Sequence, residues 1–114
     1  MVLRSTCRTI GDISVLDISG KITLGEGSAT LRRNIRELVD GGQRKIVLNL
    51  EDVDYIDSSG IGELVAAHSL VEGVQGELKL LKLTRRVRDI LQITRLFTIF
   101  DVQNDEAAAL RNFR

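Results

Sequence analysis

The feature that most constrains the fold of this chain is a buried-strand pattern that leads into a serine-containing turn and then a helix. Residues 45–50 form a short apolar run rich in β-branched side chains, as a strand covered on both faces requires. Downstream, Ile61, Leu64 and Val65 recur at helical spacing. The intervening segment 57–60, Asp-Ser-Ser-Gly, is therefore predicted to lie where a core strand enters a helix.

The chemistry of this turn admits two interpretations. Asp57, Ser58 and Ser59 place a carboxylate and two hydroxyls beside the unpaired N–H groups at the positive end of a helix dipole. Such an end can hold an anion, including a phosphate attached to one of the serines. Asp, Ser and Gly also begin helices for structural reasons alone, with Ser59 as a candidate capping residue. From these residues alone, both interpretations stay open.

The remaining segments alternate between strand and helix patterns after an opening hairpin. Residues 20–27 are punctuated by glycine and are predicted to form a loop, with Ser28 as the N-cap of the next helix. Strands are predicted over residues 3–10, 13–19, 45–50, 77–83 and 98–102, and further helices after Thr84 and after Asn104 or Asp105. This order predicts an α/β fold in one domain spanning residues 1–114. Its central mixed β-sheet is expected to have about four to five strands, with about four helices packed against it.

Composition excludes several classes of protein. Sixteen basic residues balance sixteen acidic ones and aromatic residues make up only 4% of the chain, so we expect no nucleic-acid partner. The single cysteine, Cys7, cannot form an internal disulfide and fits a reducing compartment. Neither a signal-peptide pattern nor an apolar run of membrane-spanning length occurs. A cytoplasmic protein without membrane insertion is expected.

No side-chain set predicts catalysis, a metal site or a cofactor. Asp52, Asp54 and Asp57 lack the spacing of a calcium loop, so structural or solvated roles are expected. One cysteine and one histidine cannot assemble a zinc site, and His68 is expected to be a packed or partly exposed side chain. We therefore expect that the chain is not an enzyme.

One basic concentration occurs in the second half of the chain. Such a run is usually a solvated face, but it can also meet an acidic partner or a membrane headgroup. Its members are Lys79, Lys82, Arg85, Arg86 and Arg88.

The motif Asp57-Ser58-Ser59-Gly60-Ile61-Gly62, preceded by the apolar residues 46–50, resembles the signature of the anti-sigma factor antagonists of the STAS domain family. The resemblance extends over nearly the whole chain and implies a small α/β domain. It also implies that Ser58, with Ser59 as the alternative, is phosphorylated by the partner anti-sigma factor, an ATP-bound serine kinase. Thr23 occupies a position where many of these proteins have an acidic residue, which departs from the family pattern.

The resemblance implies that phosphorylation switches the protein between a state that binds its partner and a state that does not. The unphosphorylated protein binds the anti-sigma factor and thereby frees a sigma factor. Phosphorylation releases the protein from the anti-sigma factor, and a serine phosphatase returns it to the unphosphorylated form. The residues expected to bind the partner are Lys21, Thr23, Asp57, Ser58, Ser59, Gly60, Ile61 and Gly62. The alternative is a STAS adaptor or structural subunit, in a signalling or lipid-transport complex, that is not phosphorylated.

Overall fold

A computed structural model describes residues 3–114 and shows, within them, a mixed sheet of five strands with four helices, which confirms the predicted fold class. The strands are β1 (Arg4–Ile10), β2 (Ile13–Ile22), β3 (Lys45–Ile56), β4 (Glu77–Leu81) and β5 (Asp101–Gln103). The helices are α1 (Glu26–Asp40), α2 (Ser58–Gly73), α3 (Arg85–Ile93) and α4 (Glu106–Arg111).

The order of the strands follows the order of the chain, β1-β2-β3-β4-β5. Strand β1 is antiparallel to β2, whereas β2, β3, β4 and β5 run parallel. The carboxyl ends of β2, β3 and β4 therefore meet at one edge of the sheet, and α1, α2 and α3 all begin there. In open α/β sheets this is the edge at which binding sites occur.

Two hydrophobic clusters hold the layers together. The larger lies between one face of the sheet and the helices α1, α2 and α3, and it includes the fully buried Leu31, Leu48 and Leu64. The smaller lies on the opposite face under α4, where Val15 and Val47 meet Ala109. Both faces of the central strands are covered, which explains why β3 begins with a continuous apolar run instead of an alternating one.

The segment between β2 and α1 differs from the prediction. The predicted loop over residues 20–27 is shorter, because β2 continues to Ile22 and keeps its pairing with β3 across a register shift at Gly20/Lys21. Gly20 has a φ of 104°, a conformation that glycine adopts without steric cost. Helix α1 is capped by Gly25 and not by Ser28, whose hydroxyl instead donates to the Thr23 carbonyl at 3.0 Å.

Strand β3 is twice as long as its apolar core indicates. Beyond residue 50 its side chains alternate imperfectly, but backbone pairing with β2 continues, with Ile22 opposite Ile56. Tertiary pairing thus extends a strand through a segment rich in aspartate, which local propensity disfavours. As a consequence, Asp57 follows the last strand residue directly, without an intervening loop.

The carboxyl-terminal part also contains differences. Strand β4 ends at Leu81, and the strand predicted over 98–102 is displaced to Asp101–Gln103. The capping roles of Thr84 and Asp105 are confirmed, since their side chains accept hydrogen bonds from the Val87 and Ala108 amides. Lys79 does not belong to a solvated basic face: its side chain is 1% exposed, and its ammonium group donates to Asp101.

Candidate functional site

The start of α2 is fixed by the carboxylate of Asp57. Its Oδ1 accepts a hydrogen bond from the Gly60 amide at 2.8 Å, as an N-cap does. Its Oδ2 accepts from the Leu24 amide at 2.9 Å, in the loop between β2 and α1. These amide donors, that of Leu24 first, lower the pKa of Asp57 below its usual value because they stabilise the charged carboxylate. One ionised side chain therefore couples the loop after β2 to the first turn of α2, the two segments that were predicted to bind a partner.

The two serines have different surroundings. Ser58 is the first residue of α2 and is exposed, whereas Ser59 is half-buried. The capping role considered for Ser59 is wrong, because Asp57 is the residue that caps the helix. Of the two hydroxyl-bearing side chains, that of Ser58 is the more accessible to another protein.

Glycine at position 60 is required by a close backbone approach. A Cβ atom built on Gly60 lies only 2.1 Å from the carbonyl oxygen of Ile22 and 2.6 Å from Cγ1 of Ile56. Any larger residue therefore pushes the first turn of α2 away from the ends of β2 and β3. Gly62 differs, since a Cβ atom there meets nothing within 4 Å.

The predicted partner-binding residues lie in two layers. Gly60 and Ile61 are buried, with Ile61 only 7% exposed, so they position the turn from below. Lys21 and Thr23 lie at the end of β2 and directly after it, beside the end of β3. The solvent-facing layer is formed by Ser58 and Gly62, with Lys21, Thr23, Asp57 and Ser59 half-buried around them.

Sequence analysis missed two residues at the same edge of the sheet, Tyr55 and Leu24. Tyr55 is 37% exposed, and the charged groups of Lys21 and Arg86 lie 5.6 and 5.8 Å from the centre of its ring. Leu24 is 78% exposed beside Asp57. A signal was available for Tyr55, because it is the single tyrosine of the chain and comes three residues before Ser58.

The three clustered aspartates have separate roles. Asp57 caps α2, Asp54 lies 3.4 Å from the Lys21 ammonium group, and Asp52 is exposed. Across residues 3–114, no group of three or more potential ligand side chains could hold a metal ion. His68 packs edge-to-face against Phe100, with 5.6 Å between the ring centres, in agreement with the packing role predicted for it.

The family model of the STAS domain matches residues 5–109. The chain belongs to the STAS domain family. Its resemblance to the anti-sigma factor antagonists is confirmed by the relatives and neighbours that it matches. In this STAS protein the motif that carries the resemblance is the turn described above.

Two curated relatives and one solved structure illustrate the similarity. BtrV of Bordetella bronchiseptica carries the provisional name of an anti-sigma factor antagonist. It is 36% identical to this chain, over 74% of this chain and 72% of its own length. The anti-sigma-B factor antagonist of Bacillus subtilis is 34% identical over 80% of this chain and 81% of its own. The structure of the Bacillus cell fate determinant SpoIIAA in its phosphorylated form has a TM-score of 0.74 at 21% identity, covering 94% of this chain and 96% of that one.

Among the residues that the structure describes, none forms a helix long and apolar enough to cross a membrane.

Proposed function

We propose that this STAS protein is an anti-sigma factor antagonist whose binding to an anti-sigma factor is switched by phosphorylation of Ser58. Unphosphorylated, it binds the anti-sigma factor, an ATP-bound serine kinase, and so frees a sigma factor for transcription. Phosphorylated, it is released, and a serine phosphatase returns it to the binding state. The observation that carries the proposal is the exposed Ser58 at the first position of α2, directly after the Asp57 cap, in the motif shared with the family.

The site suits a phosphate acceptor because this role requires only an exposed hydroxyl group in a fixed position. The chemistry of phosphoryl transfer is carried by the kinase's metal ions and phosphate-binding groups, so the acceptor chain need only present a hydroxyl in a fixed place. Asp57 and Gly60 fix the turn that carries this hydroxyl. In this proposal the protein is a substrate and binding partner in the cytoplasm, and not an enzyme.

A phosphate at this position acts mainly on the interface. It adds about −1.5 to −2 charges at neutral pH, and the α2 N-terminus moderates their cost within the free protein. An anion that becomes buried without a partner in an interface costs several kcal/mol, which is enough to abolish a micromolar complex. The existence of SpoIIAA in a phosphorylated form supports such a state for this fold.

The test is a capture experiment followed by a phosphorylation assay. The immobilised wild-type protein is incubated with extract of its own cells, and the retained proteins are identified by mass spectrometry. The expected result is an ATPase of the histidine-kinase fold. When this kinase is purified and incubated with ATP and the wild-type protein, it is expected to add one phosphate to that protein. Intact-mass analysis detects the added phosphate.

Two alanine variants assign the acceptor. Ser58→Ala is expected to remain unphosphorylated while binding the kinase, and Ser59→Ala to be phosphorylated like the wild type. Ser58→Asp is expected to bind more weakly, although one carboxylate carries less charge than a phosphate. Recovery of transporter or other assembly subunits with no phosphate on Ser58 contradicts the switch and supports the adaptor role.

A further inference from the structure

We propose that Tyr55, with the charged groups of Lys21 and Arg86 beside its ring, is a second anchor of the same interface, in addition to the Ser58 turn, and contacts a carboxylate-bearing surface of the anti-sigma factor. This inference rests on the proposed function and names the chemistry of the partner. It assigns to the interface a residue of α3, Arg86, and an aromatic ring at the end of β3.

Backbone contacts place this anchor beside the phosphoacceptor. Tyr55 pairs in register with Lys21 and precedes Ser58 by three residues. The start of α3 is held against β3 by the hydroxyl of Thr84, which donates to the Val53 carbonyl at 3.0 Å. Arg86, two residues later, therefore reaches the same edge of the sheet, and its guanidinium carbon lies 5.8 Å from the centre of the Tyr55 ring.

The ring pre-arranges two cations without neutralising them. Cation–π contacts with Tyr55 orient Lys21 and Arg86 but leave their net charge. Within residues 3–114, Lys21 is the one of these two cations that forms an ion pair, with the carboxylate of Asp54 at 3.4 Å, and this aspartate side chain is 62% exposed. Tyrosine and arginine, together with tryptophan, are enriched among the residues that dominate the energy of protein interfaces.

An exposed apolar side chain completes the surface. Leu24 is 78% exposed, and its amide is fixed by the Asp57 carboxylate. The four residues Lys21, Leu24, Tyr55 and Arg86 thus combine apolar contact area with two positive charges, of which that of Lys21 is paired with the exposed Asp54. The complementary partner surface has an apolar recess bordered by aspartate or glutamate side chains. A phosphate on Ser58 brings a competing anion to this edge, so it opposes the partner's carboxylates both by repulsion and by attracting the same cations.

The principal test uses two adjacent arginines of α3. Arg86→Glu and Arg85→Glu change the net charge equally, but Arg85 is 94% exposed and lies beside Asp89 on its own helix. Binding of each unphosphorylated variant to the purified kinase from the capture experiment is measured by calorimetry. We expect Arg86→Glu to weaken binding about 30-fold or more, and Arg85→Glu to change it by less than about threefold.

A second pair of variants tests the ring. Tyr55→Ala is expected to weaken binding about tenfold or more, whereas Tyr55→Phe, which keeps the ring face, is expected to stay within about threefold of the wild type. Thermal unfolding followed by circular dichroism verifies that each variant is folded.

The outcomes separate this inference from the proposed function. If the wild type binds the kinase and is phosphorylated on Ser58, but Arg86→Glu binds no more weakly than Arg85→Glu, the second anchor is wrong and the switch stands. Equal affinities of the folded Tyr55→Ala variant and the wild type also overturn the second anchor. If the wild type neither binds nor is phosphorylated, both proposals fail together.

Discussion

Gly60 and Asp57 fix the start of α2 by different physical means. Gly60 acts through the absence of a side chain, since the backbone of β2 occupies the space that a Cβ atom needs. Asp57 acts through charge and hydrogen bonding, since its carboxylate accepts hydrogen bonds from amides in the loop after β2 and in the first turn of α2. The position of Ser58 between them is therefore set from both sides.

We expect Gly60→Ala to destabilise the protein by about 1–3 kcal/mol, the usual cost of overpacking, because the first turn of α2 must move away from Ile22. The matched change Gly62→Ala lies in the same helix and meets no atom within 4 Å. It is expected to be neutral or to stabilise the protein by up to about 1 kcal/mol, because alanine favours helix. Urea unfolding measures both, and equal effects of the two changes refute this account of Gly60.

The Asp57 carboxylate is expected to titrate in step with both of its amide donors. As pH falls, the amide resonances of Leu24 and Gly60 in NMR spectra should move together with one midpoint below 3.8, because the pKa of Asp57 is lowered from that value. The ionised carboxylate of Asp57 stabilises the fold above pH 3.8, because the folded state holds the group ionised more strongly than the unfolded state does. This stabilisation is lost as the pH falls through the lowered pKa. The variant Asp57→Asn should show neither transition. Two separate midpoints in the wild type contradict a shared carboxylate.

At the scale of elements, α4 depends on the sheet for its position. It has only six residues, which is too short for an isolated helix in water. Apolar contact through the buried Ala109 is supplemented by Arg8 of β1, whose guanidinium group donates to both oxygens of Glu106 and to both oxygens of Asp17. These hydrogen bonds are the main cause of the lowered pKa values of Asp17 and Glu106.

The contact between Arg8 and α4 is expected to make stability depend on pH. Its contribution is complete above the ordinary pKa values of 3.8 and 4.5 and is lost as pH falls through the lowered ones. We expect Arg8→Gln to be about 1 kcal/mol less stable at pH 7, a value reduced for solvent exposure of the side chains.

Urea unfolding across this pH range measures the effect. The difference in free energy of unfolding between Arg8→Gln and the wild type should shrink as the pH falls through the lowered pKa values of Asp17 and Glu106, where both carboxyl groups become protonated. The control is Arg4→Gln on the same strand, where the side chain is exposed. A difference that stays constant with pH excludes this electrostatic role.

At the scale of the whole molecule, the core and the proposed switch are kept apart. The main cluster lies between the sheet and the inner faces of α1, α2 and α3, whereas Ser58 is exposed at the edge where these helices begin. A chemical change at Ser58 can therefore alter the surface of the protein without disturbing the packing of the core.

Phosphorylation of Ser58 is accordingly expected to leave the fold intact. The midpoint of thermal unfolding should change by less than about 4 °C, since a larger change corresponds to about 1 kcal/mol or more for a domain of this size. Calorimetry of the phosphorylated and unphosphorylated proteins measures it, with Ser58→Ala carried through the same kinase treatment as the control. Loss of the cooperative transition after phosphorylation means that the modification acts by unfolding and not at an interface.

Local patterns alone determined most of the elements in this chain. The apolar run at the start of β3 and the spacing of Ile61, Leu64 and Val65 record burial directly, because each depends only on which side chains leave water. The caps Thr84 and Asp105 were equally predictable, since capping is a contact over three residues. The motif at Ser58, which carries the family resemblance, is also local.

Tertiary structure decided what local patterns leave open. The extension of β2 and β3 to Ile22 and Ile56 comes from pairing between strands that are distant in sequence, and the burial of Lys79 depends on Asp101 in another strand. The grouping of Tyr55 with Lys21 and Arg86 joins three elements at one edge of the sheet. Such contacts are set by parallel pairing and packing, whose energies depend on the partner segment, so no single stretch of sequence contains them.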